Sequence, residues 1–340
     1  MKKSILLLSF LAVALASCNN DKPVAQITTA DTLSEIEIID AEALTLFSKD
    51  AKAEILAIGF KWSEGPLWLK DQKKLIFSDV PRNTIYSWSE KDSIQVYLTP
   101  SGYTDTIARG GETGSNGLYV NKDGKLVLAQ HGDRRIAEMQ APLDAPKADF
   151  KTLADKFNGK RFSSPNDVCA DSKGNYYFTD PPYGLEKQEN DPSKEQTKEG
   201  VYRINADGSV EQLIDSLTRP NGIIVSNDGS KLYVANSDPA RAIWAVYDID
   251  AAGKLLNGKV FMDATSFVSK GKGLPDGLKM DSRGYIYASG PTGIWVFNPA
   301  GKHIATIKIK EHASNVALDD TESYLYITAN MYLLRVKLIK

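Results

Sequence analysis

The stretch "NDVCADSKGNYYFTD", Asn166 to Asp180, decides the fold. A polar pair opens it, a short apolar run follows, and Lys173-Gly174 makes a turn. An alternating aromatic run then closes on Thr179-Asp180. Two alternating runs joined by a tight Gly-containing turn read as a β-hairpin. The pattern recurs along the chain as "EGPLWLKDQKKLIFSD" from Glu64, "NGLYVNKDGKLVLAQH" from Asn116 and "NGIIVSNDGSKLYVAN" from Asn221. It returns as "DGLKMDSRGYIYASG" from Asp276 and "NVALDDTESYLYITA" from Asn315.

After each hairpin comes a third strand candidate: "TIYSW", "RIAEM", "GVYRI", "AIWAVYDI", "GIWVF" and "YLLRVKL". A fourth follows five of them: "SIQVYL", "FKTLA", "VEQLI", "KVFMD" and "HIATIKI". Four strands repeating every 40 to 55 residues or so is the pattern of a β-propeller. The sixth unit runs out of chain before its fourth strand, and "KAEILAIGF", upstream of the first hairpin, supplies it. The reading is all-β, a six-bladed propeller over about residues 51–340. Pairing an N-terminal strand with the C-terminal unit closes the ring and removes two open edges.

In such a ring the first strand of every blade lines a central channel, so the starting residues Glu64, Asn116, Asn166, Asn221, Asp276 and Asn315 are expected to meet at one mouth. Asp79, His131, Asp180 and Asn236 end second strands and are expected just behind them, with Gly290 and Ala329 in the other two blades. Asn-Gly and Asp-Gly pairs are often mere turn formers. These precede strands instead, and recur at the same point of the repeat. Oxygen donors converging on one point suit a hard divalent cation. Calcium, which takes about six to eight oxygens, is the first expectation, with zinc, magnesium and manganese open.

The stretches "EGPLW" (64–68), "SPNDV" (164–168), "FTDPPYG" (178–184), "RPNGI" (219–223) and "PDGL" (275–278), with "QHGDRRI" (130–136), resemble the gluconolactonase branch of the family that contains senescence marker protein (regucalcin) and the bacterial lactone hydrolases. Paraoxonase is a more distant six-bladed relative. The resemblance implies metal ligands at Glu64, Asn221 and Asp276, with Asn166 beside the metal and in contact with it or with substrate. Ser163-Ser164 stands where this branch often has Asn-Ser, a departure that bears on substrate detail.

The function expected is metal-dependent hydrolysis of a lactone, most simply a sugar lactone such as gluconolactone. A bound cation polarises the carbonyl and acidifies a water. Asp276 is the first candidate base, and His131, whose imidazole can take up a proton, the second. Asn116, Asn166 and Asn315 are expected at the substrate. Asp180 is expected to orient Asn166 or a water, and Arg109, in "PSGYTDTIARGGETG", to reach a sugar hydroxyl or acid. His303 falls on an outer strand and reads as structural, while His312 precedes Asn315 at the mouth. The polar stretch 184–200 is either a solvated excursion or a lid. Two alternatives stand beside the lactonase: a non-catalytic propeller that binds glycan or peptide around a structural metal, and an aryl esterase or organophosphate hydrolase. Aromatic crowding by Trp62, Trp68 and Tyr183 would favour the last. No Gly-x-Ser-x-Gly elbow and no phosphate-binding Gly loop is present.

The ends and the composition set the context. Lys2 and Lys3 precede the apolar "ILLLSFLAVALA", and Leu15-Ala16-Ser17-Cys18 reads as a lipobox. A lipoprotein signal over residues 1–17 with lipidation at Cys18 is expected. The result would be an exported bacterial lipoprotein held at a membrane by its acyl chains, facing the periplasm or lying on the outer membrane. Residues 18–50 would form the tether and an N-terminal segment, of which "IEIIDAEALTLF" (36–47) stays unassigned. Cys169, the other of two cysteines, alternates with apolar neighbours and reads as core filler. A net charge of −2 gives no footprint for nucleic acid. A monomer is expected.

Overall fold

The computed structural model describes residues 33–339 in full and the backbone of Val24–Ala25. The leader and the lipidation expected at Cys18 lie outside the described residues. Among the described residues no helix is long and apolar enough to cross a membrane.

Six antiparallel sheets follow one another around a central axis, each running from an inner strand at the channel to an outer strand at the rim. The inner strands are Ser63–Leu69, Ser115–Val120, Val168–Ala170, Pro220–Val225, Leu278–Met280 and Ala313–Leu318. The second strands are Lys74–Asp79, Leu126–Gln130, Tyr176–Asp180, Lys231–Asp238, Ile286–Gly290 and Tyr324–Ala329. Ring closure is as the sequence predicts. Ala53–Ile58 pairs antiparallel with the last strand, Tyr332–Lys337, so the sixth blade takes its outer strand from the N-terminal side. Closing a sheet with strands from both ends of the chain leaves no unpaired seam.

The chain joins the fold before residue 51. Ser34–Ile38 adds a fifth strand to the rim of blade five, against His303–Ile309. The turn at Ala41–Thr45 then drops Ala43, Leu46 and Phe47 into the apolar layer between blades five and six. Asp40 caps this turn by accepting from Glu42 N–H at 2.9 Å. Neighbouring blades pack through such layers. Between blades two and three, Phe162, Phe178 and Tyr202 meet with ring centroids 5.0–5.4 Å apart. Each fully buried side chain of this size contributes about 1.5–3 kcal/mol.

Near the axis the blades are joined by polar groups. Hydroxyls on second strands reach carbonyls in or just before the inner strand of the next blade: Ser78 to Asn116 O at 2.9 Å, Thr179 to Asn221 O at 2.7 Å, Ser289 to Ser314 O at 2.6 Å, and Ser237 to Pro275 O. These bonds leave little room between adjacent inner strands. A Cβ on Gly65 would sit 2.0 Å from Asn116 O, and one on Gly277 would sit 1.9 Å from the Asn315 side chain. The glycines following Glu64 and Asp276 are therefore there for close approach of the next blade, and do not serve as hairpin turns.

Candidate active site

At the end of the channel where the inner strands begin lies a cavity of about 250 Å³. Glu64, Asn116, Asn166, Asn221 and Asp276 line it together with Trp62, Glu112, Tyr183, Arg219, Leu274 and His312. Five of the six strand-starting residues thus meet as the repeat requires. Blade six differs. Gly277 N–H donates to Ser314 O at 2.7 Å just as Gly117 N–H donates to Asn166 O at 2.7 Å. Ser314 therefore occupies the starting position, and Asn315 stands one residue deeper, level with Asp167. The expectation of Asn315 at the substrate is corrected accordingly. Its Oδ1 accepts from its own neighbour Val316 N–H at 2.9 Å, as Asp167 Oδ1 does from Val168 N–H.

The amides at the cavity have fixed orientations. Ser237 Oγ donates its proton to Pro275 O, so its oxygen can only accept from Asn221, 3.0 Å away. The NH₂ of Asn221 must face Ser237, and its carbonyl oxygen is turned away from that bond. Asn166 is arranged alike. His131 Nε2 lies 3.5 Å from Asn166 Nδ2, and His131 Nδ1 lies 3.4 Å from the Glu112 carboxylate. That carboxylate makes no hydrogen bond to Nδ1, but its charge nearby favours the proton there, which makes Nε2 the acceptor. Asn166 then presents its carbonyl oxygen on the side opposite His131.

The carboxyls are electrostatically crowded. Glu64 is 2% exposed, and its Oε2 accepts from Gly65 N–H at 2.9 Å, with the Trp62 side chain a second donor to the carboxyl. Burial pushes its pKa up to about 8, with Asp167 and Glu112 adding to the rise. Asp276 is raised well above the usual carboxylate range by burial and then by Glu64. Its Oδ1 is buried with no hydrogen-bond partner. A buried acceptor left bare is costly, and this one sits beside a second carboxyl with two oriented amides close by.

Residues 62–331 match the SMP-30/Gluconolactonase/LRE-like region. The chain belongs to the SMP-30/gluconolactonase/LRE-like family. It is 37% identical to a gluconolactonase from Zymomonas mobilis over 291 residues, covering 84% of this chain and 80% of that one. It superposes on a solved gluconolactonase from Xanthomonas campestris with TM-score 0.78 at 28% identity, covering 93% of this chain and 98% of that one. A calcium-binding regucalcin from Agrobacterium tumefaciens shares the fold, with TM-score 0.62 at 17% identity over 82% of this chain and 91% of that one.

In this family member Glu64, Asn166, Asn221 and Asp276 fit a hard cation on their own chemistry. The bare oxygen of Asp276 and two amide oxygens freed by outward-donating NH₂ groups form an all-oxygen set. Among the described residues no group of three or more His, Cys, Asp or Glu is placed to hold a metal; two of the four donors here are amides.

Three other expectations are corrected. His131 is fully buried behind Asn166 and does not line the cavity, so it positions an amide and is not placed as a base. Asp180, also fully buried, accepts from Ser163 and Ser164 N–H at 2.8 and 2.7 Å. It clamps the chain entering blade three and does not face substrate. Asp79 does the same for Lys61 and Trp62, and Asn236 for Arg219, so this second ring fixes the chain as it enters the inner strand. Arg109 spends its guanidinium on Gly132 O at 2.8 Å and on Gly184 O, tying residues 100–114 to blades two and three.

Other residues fall to one side or the other of the mouth. Trp68 stacks on Tyr326 at 5.4 Å and donates to Asp320, away from the cavity, which leaves Trp62 and Tyr183 as the cavity's Trp and Tyr. His303 stacks on Trp295 at 4.2 Å within the outer layer. Glu112, Arg219, Ser237 and Asp167 were missed. Asp167 had a signal in "SPNDV", where an acid replaces the usual glycine. Arg219 precedes "PNG" directly. Nothing in the sequence sets Glu112 or Ser237 apart from other polar residues near strand ends.

Proposed function

We propose that this chain hydrolyses a lactone, with sugar lactones such as glucono-1,5-lactone as the substrate class, in the cavity at the channel mouth. The observation that carries the reading is the bare, buried Oδ1 of Asp276 in a polar cavity, beside amides whose oxygens are free. The gluconolactonase relatives from Zymomonas mobilis and Xanthomonas campestris support it. A divalent cation held by Glu64, Asn166, Asn221 and Asp276 would draw electron density from the lactone carbonyl and make an adjacent water more acidic. Calcium is the expected ion, since the donors are oxygens only and the regucalcin of shared fold is a calcium-binding protein.

The chain's own groups supply the rest. Asp276 accepts the proton of the attacking water as the water oxygen bonds to the carbonyl carbon. The bond from that carbon to the ring oxygen then breaks, and the proton passes to the departing oxygen, leaving a hydroxy acid. In the metal-free site burial and then the neighbouring Glu64 raise the Asp276 carboxyl above its ordinary range, a conflict that a bound cation would relieve by favouring the carboxylate that accepts the proton. Burial also holds the Tyr183 phenol protonated, so that it can donate to a substrate oxygen. Asn116 offers both an amide donor and an acceptor to ring hydroxyls. Trp62 and Leu274 give the cavity its apolar wall and exclude bulk water.

The test is to strip the purified protein with chelator and follow acid release from glucono-1,5-lactone, subtracting spontaneous hydrolysis. Calcium, magnesium, manganese and zinc are then added back singly. Turnover restored by one cation is expected. Protein that binds cation yet turns over no lactone would refute the reading.

A further inference from the structure

One residue deeper than the cavity's donors, four inner strands carry glycine: Gly65, Gly117, Gly222 and Gly277. The two blades that face each other across the ring carry larger side chains there, Asp167 in blade three and Asn315 in blade six. Each reaches over the glycine of the blade before it. A Cβ on Gly117 would sit 2.5 Å from Asp167 Oδ1, as one on Gly277 would sit 1.9 Å from the Asn315 side chain. Both side chains accept from the N–H of the residue that follows them, at 2.9 Å. Only Asp167 brings a charge. It is 2% exposed, and its Oδ2 is buried with no hydrogen-bond partner. The ion pair it makes, with Lys279 Nζ of blade five, is long at 4.0 Å. A buried carboxylate so loosely neutralised is costly to keep. Packing does not call for it, since Asn315 fills the matching place without a charge.

We propose that Asp167 is a positioning residue for the cation: its charge draws the ion to the mouth from one layer below without touching it, and Lys279 offsets part of that pull. The inference rests on the cation reading of Glu64, Asn166, Asn221 and Asp276, and adds to it a charge that is not a ligand. Asp167 follows Asn166 in the chain but does not line the cavity, so it stands behind the donors. Its field nevertheless reaches both acids of the cavity. Burial does most to push the Glu64 and Asp276 carboxyls up, and the Asp167 charge adds to the rise in each. A cation held between those acids meets the same charge with the opposite sign. Because Asp167 is buried, salt screens it little. Lys279, 27% exposed on the inner strand Leu278–Met280, acts against it from the other side of the channel.

The test is a calorimetric calcium titration of the full chain at low and at high salt. Asp167→Asn keeps the shape and the bond to Val168 N–H while removing the charge, and should weaken binding about tenfold. Lys279→Met keeps the stem, removes the opposing charge and should tighten binding about threefold. Asn315→Asp places a second carboxylate at the matching position of blade six and should also tighten it. All three shifts should persist at high salt. Damage to the fold would weaken binding in every variant, so the opposite signs separate charge from structure. If Asp167→Asn does not fold, the other two variants decide alone. Calcium affinity of Asp167→Asn within about twofold of wild type, or weaker binding in both Lys279→Met and Asn315→Asp, overturns the inference and leaves the cation site standing. Wild type that binds no calcium removes both.

Discussion

Ser237→Ala separates the two jobs that one hydroxyl does. Ser237 Oγ bonds Pro275 O and accepts from Asn221 Nδ2 at 3.0 Å, with the residue only 4% exposed. Truncation leaves a buried carbonyl without its donor, at about 1–3 kcal/mol. For a domain of this size that lowers Tm by about 1.5–5 °C. It also removes the reason for Asn221 to keep its carbonyl oxygen turned toward the cavity. Losing about 1 kcal/mol of orientational bias should weaken cation binding about fivefold. Ser78→Ala is the control. Its hydroxyl joins blades one and two through Asn116 O and Ser115 Oγ, both at 2.9 Å and fully buried, but contacts no amide side chain. It should cost similar stability and leave cation affinity within about twofold. Thermal melts and calorimetric calcium titrations of the two variants decide the matter. If Ser237→Ala binds cation like the wild type, or Ser78→Ala weakens binding as much, the amide-orienting argument is wrong.

Glu64→Gln and Asp276→Asn should each lower metal-restored lactone turnover by about 10²–10³-fold, measured by acid release, while raising the stability of the metal-free protein near pH 8. For metal-free wild type, Glu64 has its pKa raised from 4.5 to about 8, so the folded state holds a proton that the unfolded chain releases. Stability should be full below about pH 4.5 and fall as pH rises toward about 8, and saturating cation should flatten this slope. Urea midpoints across that range, with chelator and with calcium, would expose a slope of the opposite sign. Gly277→Ala places a Cβ 1.9 Å from Asn315, with only side-chain atoms of that residue nearest. A loss of about 1–3 kcal/mol is expected, and Asn315→Ala in the same chain should restore most of it. No rescue would mean the contact is not the cause.

The six hairpins and the closing strand were legible because each strand carries its own periodicity and four of the six hairpin turns carry a glycine, Gly124, Gly174, Gly229 and Gly284. The same repeat located the cavity from Glu64, Asn116, Asn166, Asn221 and Asp276 alone. It failed where an alignment by residue type hides a shift of one position: Asn315 looks like a strand starter, but Ser314 fills that role. It failed again at Asp180, His131 and Arg109. A polar residue at a strand end can face the channel or turn back to hold the chain behind it. The choice depends on which backbone N–H groups lack partners, and pattern does not carry that information. Glu112 enters from a long connection whose path no periodicity records.

The contacts that close the ring also create the site. Hydroxyl bonds from Ser78, Thr179, Ser237 and Ser289 draw the inner strands together, and Gly65 and Gly277 are small enough to allow it. That approach brings Glu64 from blade one and Asp276 from blade five to the same narrow mouth, close enough for Glu64 to raise the Asp276 pKa. Two carboxyls held this way cannot both ionise cheaply, so the empty ring either keeps protons or loses stability. A cation that binds only the folded ring removes that conflict, and at one hundred times its dissociation constant adds about 2.7 kcal/mol to stability. Cation binding and fold stability are therefore linked through the protons of Glu64 and Asp276.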